Sequence, residues 1–236
     1  MSNNPKALVT GASRGIGAAT AIKLAQRGWD VALNFRDKAA RAEQVAAQIG
    51  SGALLAQADI TNDAEVAAMM NLIQREFGSL DVLVLNASGG LEANKPEDYA
   101  MTLNLTAQMN AARAATPLLR SGGRIVFVTS HWAHFYGTKP VMPVYEPVAK
   151  SKRAGEVALR AYSEESGIPL VVVSGDAIEG TITPRLLGRK SRGKSEDPLP
   201  EARTLPTVDE FAKAIAEAAT DSKLNGQTIF IGSTEF

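Results

Sequence analysis

Three glycines near the start of the chain have the spacing of a phosphate cradle. Thr10-Gly11-Ala12-Ser13-Arg14-Gly15-Ile16-Gly17 follows a short apolar run, 6–10, and leads into a segment of helical period, 15–27. In that setting Gly11 permits a tight turn, Gly15 lets backbone approach phosphate, and Gly17 lets helix pack closely on strand. A pyrophosphate would rest on the free N–H groups of the helix N-terminus, where the dipole favours an anion. Ser13, Arg14 and Ile16 fill the remaining loop positions. The chemistry implied is dinucleotide binding, and the strand–turn–helix context separates it from glycines that only make turns. A second position bears on which dinucleotide. An acid at the end of the second strand would bond a ribose 2′-OH and repel a 2′-phosphate. The chain has Phe35 there, followed by Arg36. Two guanidinium groups, Arg36 and Arg14, suit a phosphate that they can grip bidentately, which points to NADP(H). Arg36 also reads as an ordinary solvated surface residue.

The elements that must position these residues alternate regularly. Apolar, mostly unalternating runs lie at 6–10, 30–35, 53–57, 82–85, 124–129, 169–174 and 227–231. Helical periods lie between them at 15–27, 38–49, 62–77, 96–119, 147–165 and 207–221. Short apolar strands separated by helices predict an α/β fold, a doubly wound parallel seven-stranded sheet covered on both faces. No repeat or linker divides residues 1–236, so one domain is expected. The stretch 185–206 breaks the rhythm with charge, glycine and proline, and reads as a lid or a mobile loop.

Composition narrows the classes. Lys+Arg and Asp+Glu both total 25, so the charge balance calls for neither nucleic acid nor an anionic membrane. With no cysteine there is no disulfide, thiolate metal site or cysteine nucleophile. His131 and His134 lack a carboxylate-rich partner motif, so no metal site is expected. The start of the chain has no signal-peptide pattern, no apolar stretch approaches the ~20 residues that span a bilayer, and a cytoplasmic protein is expected.

The Thr-Gly-x-x-x-Gly-x-Gly pattern resembles the short-chain dehydrogenase/reductase family, and the likeness runs over nearly the whole chain. It implies a Rossmann-type fold and a set of site residues. Asp59 and Ile60, after the third strand, resemble the family's adenine contacts. Asn86-Ala87-Ser88-Gly89 stands where the family has Asn-Asn-Ala-Gly, with Leu85 in place of the first Asn and Ser88 in place of the Gly. Asn104 matches the helix asparagine that holds a water behind the active-site lysine, and Ser130 matches the catalytic serine. The family's usual Tyr-x-x-x-Lys is absent, because matching Ser151-Lys152 to its Ser-Lys pair puts Val148 at the tyrosine position. Tyr145 and Lys152 instead have the Tyr-x6-Lys spacing of the divergent branch that includes enoyl-acyl-carrier-protein reductases. Gly175 and Ile178, in Ser174-Gly175-Asp176-Ala177-Ile178, resemble that branch's Ser-Gly-x-x-Ile run.

The resemblance implies an NADPH-dependent reductase. Tyr145 would stabilise the oxyanion, Lys152 would reach the nicotinamide ribose, and Ser130 would hydrogen-bond the substrate oxygen. Lys150 competes with Lys152 but points off Tyr145's helix face. Tyr136 reads equally as a pocket residue and as packing, and Tyr145 also reads as a loop aromatic filling a gap. Reduction of an enoyl thioester, free or carrier-bound, in fatty acid or secondary metabolism is the first expectation; ketone or 3-oxoacyl reduction by the same residues is the second. A catalytically weak NADP(H)-binding sensor is the reading from another class. The basic residues Arg185, Arg189, Lys190, Arg192 and Lys194 would meet a phosphopantetheine or an acidic carrier protein, and a homodimer or homotetramer is expected.

Overall fold

The computed structural model describes residues 2–92, 94–176, 178 and 205–235. Seven parallel strands form one sheet in the order β3-β2-β1-β4-β5-β6-β7. They are β1 Lys6–Val9, β2 Asp30–Phe35, β3 Ala53–Gln57, β4 Leu80–Leu85, β5 Leu119–Ser130, β6 Leu170–Gly175 and β7 Thr228–Ile231. The chain winds outward from β1 to β3, then returns to the other side of β1 for β4 to β7. That reversal opens a crevice beyond the carboxyl ends of β1 and β4, where ligands of open α/β sheets bind.

Side-chain alternation along each strand divides the core in two. Val9, Leu33, Val84, Val128 and Val173 face α1 (Gly15–Gln26) and, at the far end of the chain, α8 (Val208–Thr220). Leu8, Ala32, Leu83, Phe127 and Val172 face α3 (Asp63–Phe77), α5 (Ala107–Ala115) and Leu159 of α7 (Glu146–Ser166). The remaining helices are α2 (Ala39–Ile49), α4 (Tyr99–Met101) and α6 (His131–His134). Among the described residues, no helix is long and apolar enough to cross a membrane.

Three elements differ from their sequence pattern. The single helical run expected at 96–119 is four pieces: α4, a π-helical segment Thr102–Thr106, α5, and a 3₁₀ turn Thr116–Leu118. β5 begins at Leu119 rather than at 124, its register on β4 shifting between Leu80 and Val82. Its early residues are polar and exposed, so apolar content alone hides them. Helix α7 starts at Glu146, which makes Pro147 its second residue rather than its first. The loop 132–144 does bulge, as its length requires. It folds over Leu91, Ala133, Tyr145, Val148 and Ala149 as a small separate apolar cluster. The lid expected at 185–206 lies outside the described residues apart from Leu205 and Pro206.

Candidate active site

The turn from β1 into α1 has the geometry that its glycines predict. Gly11 and Gly15 have φ of 66° and 55°, a region that costs other residues energy. No atom lies within 4 Å of where a Cβ on Gly15 would stand, so the loop surface is open there. A Cβ on Gly17 would fall 2.5 Å from both the Gly11 carbonyl oxygen and Asn86 Nδ2, so this position requires glycine. The loop is tied from behind. Asn86 Nδ2 donates to the Thr10 carbonyl at 2.9 Å, and Thr10 Oγ1 accepts from the N–H groups of Asn86 and Ala87 at 2.9 and 3.0 Å. Asn34 accepts from Gly11 N at 3.3 Å and donates to the carbonyls of Ala56 and Ala58 at 3.2 and 3.0 Å. Thr10, the first residue of the glycine pattern, and Asn34 are positioning residues; Asn34 was missed, because a buried polar residue inside a strand has no spacing signature.

The N-terminus of α1 has no side-chain cap and no acid in its first turn, whereas Asn62 caps α3. An open cradle ending on uncapped N–H groups fits a pyrophosphate. Arg14 and Ile16 line the cleft that begins here, together with Asn86. Ser13 is half-buried in the loop, and Ala87 packs against the core beside β4. Arg36 lies at the other edge of the loop. Its Nε bonds Asp37 at 2.7 Å, its Nη1 donates to the Tyr99 hydroxyl at 3.0 Å, and Asp59 Oδ2 is 3.9 Å away. The expected pair of guanidiniums is therefore split: Arg14 belongs to the cleft wall, and Arg36 is drawn to the carboxylates and phenol beside it. Asp59 itself accepts from Thr61 N and Oγ1 at 2.9 and 2.7 Å, next to the buried Ile60.

The cleft continues past the ends of β5 and β6. Ser130, at the end of β5, is the N-cap of α6, accepting from Ala133 N at 3.3 Å. Its hydroxyl lies 3.1 Å from that of Tyr145, the N-cap residue of α7. Tyr145 is 5% exposed and its ring stands 5.1 Å from that of Trp132, centre to centre. Burial pushes the phenol above its usual pKa, and the Ser130 bond offsets only part of that. Lys152 shares the cleft, buried, with its ammonium donating to the Val128 carbonyl at 3.0 Å. Burial alone pulls its pKa down to about 8. The expected Tyr145–Lys152 pairing is thus indirect. Tyr145 precedes the helix and reaches Ser130, while Lys152, two turns on, reaches back to the strand. Val148, where Tyr-x-x-x-Lys would put the tyrosine, also lines the cleft, and Lys150 is exposed.

The asparagine expected behind the lysine is buried in the π segment. Its Nδ2 donates to the Gly89 carbonyl at 2.9 Å and to Ser151 Oγ at 3.0 Å, so the Asn104 side chain is spent on the neighbouring loop and helix. Gly175 lines the cleft where a Cβ would stand 2.0 Å from Phe211, and Ile178 closes that side. Tyr136 is not part of the lining: it packs on the loop cluster and its hydroxyl donates to Glu146 at 3.1 Å. Leu91, Glu92, Trp132 and Phe211 do line the cleft and were missed. Among the described residues no group of acids and histidines could hold a metal. His131 Nδ1 meets Ser174 Oγ, and His134 meets Glu156, both at 2.9 Å.

The family model described as short chain dehydrogenase matches residues 5–174. The short chain dehydrogenase/reductase AacuN of Aspergillus aculeatus is 35% identical over 186 residues, 75% of this chain and 69% of that protein. The hydroxynaphthalene reductase-like protein Arp2 of Metarhizium robertsii is 37% identical over 188 residues, 75% of this chain and 68% of that protein. Among solved structures, a short chain dehydrogenase from Burkholderia cenocepacia in complex with NADP superimposes with a TM-score of 0.77 at 29% identity, covering 97% of this chain and 96% of its own. The angucycline C-6 ketoreductase LanV with bound NADP does so with a TM-score of 0.79 at 26% identity, covering 98% and 95%.

Proposed function

The chain belongs to the short-chain dehydrogenase family and is an oxidoreductase, and from that premise we propose that it reduces a ring ketone with NADPH. The observation that carries the reading is the pair of hydroxyls, Ser130 and Tyr145, 3.1 Å apart in the cleft that begins at the glycine loop. When bound, the nicotinamide supplies a hydride to the carbonyl carbon. The residues answer the consequence of that transfer. As the C=O electron pair moves onto oxygen, Tyr145 gives its phenolic proton to that oxygen and Ser130 donates a second hydrogen bond. Lys152 supplies the positive charge that the phenolate then needs. The uncapped α1 N-terminus with Gly15 would hold the pyrophosphate, Asp59 and Ile60 the adenine, and Lys152 the nicotinamide ribose. Phe35 leaves no acid at the end of β2 to repel a 2′-phosphate, Arg14 stands in the cleft wall, and two structural neighbours hold NADP.

The substrate side of the cleft is lined by Leu91, Trp132, Tyr145 and Val148. A wall of this kind suits a flat, apolar ring system. Names of relatives point the same way, one being hydroxynaphthalene reductase-like and another an angucycline ketoreductase. This moves ketone reduction ahead of the enoyl thioester, which the Tyr145-to-Lys152 spacing keeps as the second reading.

Purified protein with NADPH and a panel of hydroxytetralones, a monocyclic ketone and crotonyl-CoA separates the readings by cofactor consumption and product analysis. Bicyclic alcohols should form fastest, and faster with NADPH than with NADH. Turnover of crotonyl-CoA alone would replace the first reading with the second. NADPH binding without turnover of any of them would leave a sensor.

A further inference from the structure

Glu156 is fully buried, yet it has three basic neighbours. His134 Nδ1 lies 2.9 Å from Oε2, while Arg153 and Arg160 lie 3.3 and 3.0 Å from Oε1. Arg160 Nη2 in turn donates to Thr228 Oγ1 of β7 at 2.7 Å. Burial would raise the carboxyl's pKa, but the hydrogen bonds and charges of His134 and Arg160 outweigh it and hold the group ionised. An ionised carboxylate accepts only, so His134 Nδ1 is the donor. A buried charge with this many partners costs desolvation that a leucine would not, and its return is direction rather than cohesion.

The direction it fixes is legible in the chain. Glu156 is four residues after Lys152, on the same face of α7. His134 is four residues after Ser130, at the other end of the short helix that Ser130 caps. The two reactive hydroxyls therefore sit at the starts of two different helices, α6 and α7, and 3.1 Å is held only if those helices keep one register. The apolar cluster of Leu91, Ala133, Tyr145, Val148 and Ala149 presses the helices together but tolerates sliding, because apolar contact has no preferred angle. The single His134–Glu156 bond joins the end of α6 to the middle of α7 and has one.

We propose that His134 and Glu156 are positioning residues that set the Ser130–Tyr145 hydroxyl pair for proton donation, an inference resting on the reading of that pair as the oxyanion donors. Neither touches the substrate; they act through the Ser130–Tyr145 pair.

The test compares His134→Ala, His134→Asn and His134→Gln in the NADPH-dependent reaction. An asparagine amide nitrogen overlays Nδ1 and can donate to the same carboxylate oxygen, whereas that of glutamine overlays Nε2. His134→Ala should lower kcat roughly 10-fold or more, the scale of a small misplacement of reacting groups, with KM for NADPH unchanged. His134→Asn should restore kcat to within about 3-fold, and His134→Gln should not. Because the strut acts through the hydroxyl pair, His134→Ala should cost less in a Tyr145→Phe background than in the parent. Full kcat in His134→Ala, or an additive loss in the double variant, overturns the proposal. Should the alanine variant not fold, equal activity of the asparagine and glutamine variants overturns it. If Tyr145→Phe and Ser130→Ala both keep the parental rate, the donor reading itself has failed, a distinct result.

Discussion

Lys152 is held in the site at an internal electrostatic cost. Its ammonium is buried on the Val128 carbonyl and its pKa is lowered to about 8 by burial. An unfolded chain returns it to about 10.5. Between these values the unfolded chain binds more protons than the folded one, so stability rises with pH across this window. Below about pH 8 the folded protein carries the whole cost, on the order of 3 kcal/mol at 1.36 kcal/mol per pKa unit. Lys152→Met should remove that rise in melting temperature between about pH 8 and 10.5, measured against the parent without cofactor. An identical pH profile in both proteins would show that the ammonium is not desolvated. Much of the site was legible at this scale, though unevenly. The glycine loop could be found because its turn constrains backbone conformation, and Ser130 and Tyr145 could be named as candidates because they match positions in the family pattern. Asn34 and Glu156 could not, since a buried polar residue is defined by partners far away in the chain. The contacts of Arg36 and Lys152 were missed for a related reason. A long side chain chooses among neighbours that only the fold assembles, here Tyr99 and the Val128 carbonyl.

Gly155 shows what an element needs that its pattern does not reveal. It sits inside α7, where glycine costs about 1 kcal/mol relative to alanine. Its position is explained by close approach, since a Cβ there would stand 2.2 Å from the Asn104 carbonyl oxygen. Asn104 belongs to the π-helical segment Thr102–Thr106, whose widened turn brings that carbonyl toward α7. Gly155→Ala gains helix propensity but forces the two helices apart, and overpacking of this kind costs about 1–3 kcal/mol. The melting temperature should fall by roughly 2–10 °C, and Ser151 Oγ should lose its bond from Asn104. An alanine variant as stable as the parent would mean that the helices are not in contact there. Strand positions were readable because both faces of the sheet are covered, so the runs are apolar throughout. The four-part segment 99–118 was not, because the π segment Thr102–Thr106 and the 3₁₀ turn Thr116–Leu118 are too short for their changed period to show in the apolar pattern.

At the scale of the molecule, the reversal of strand order between β1 and β4 creates the site. It sets the glycine loop beside Asn86, and β5 and β6 then extend the same edge toward Ser130 and Gly175. The parallel seven-stranded sheet follows from alternation of strands and helices, and its doubly wound form from the handedness of the crossovers. The substrate does not follow from the fold, which hosts many; it depends on side chains such as Leu91 and Trp132 that line the cleft. The central claim is that the tyrosine seven residues before Lys152, and not a residue one turn before it, is the proton donor. Tyr145→Phe removes one oxygen and leaves the ring against Trp132. The direct measurement is the single-turnover rate of ketone reduction by NADPH in the parent and in Tyr145→Phe, with NADPH affinity measured in both. The rate should fall about 10²-fold or more while affinity stays within about twofold. A Tyr145→Phe protein that reduces the ketone at the parental rate would contradict the account.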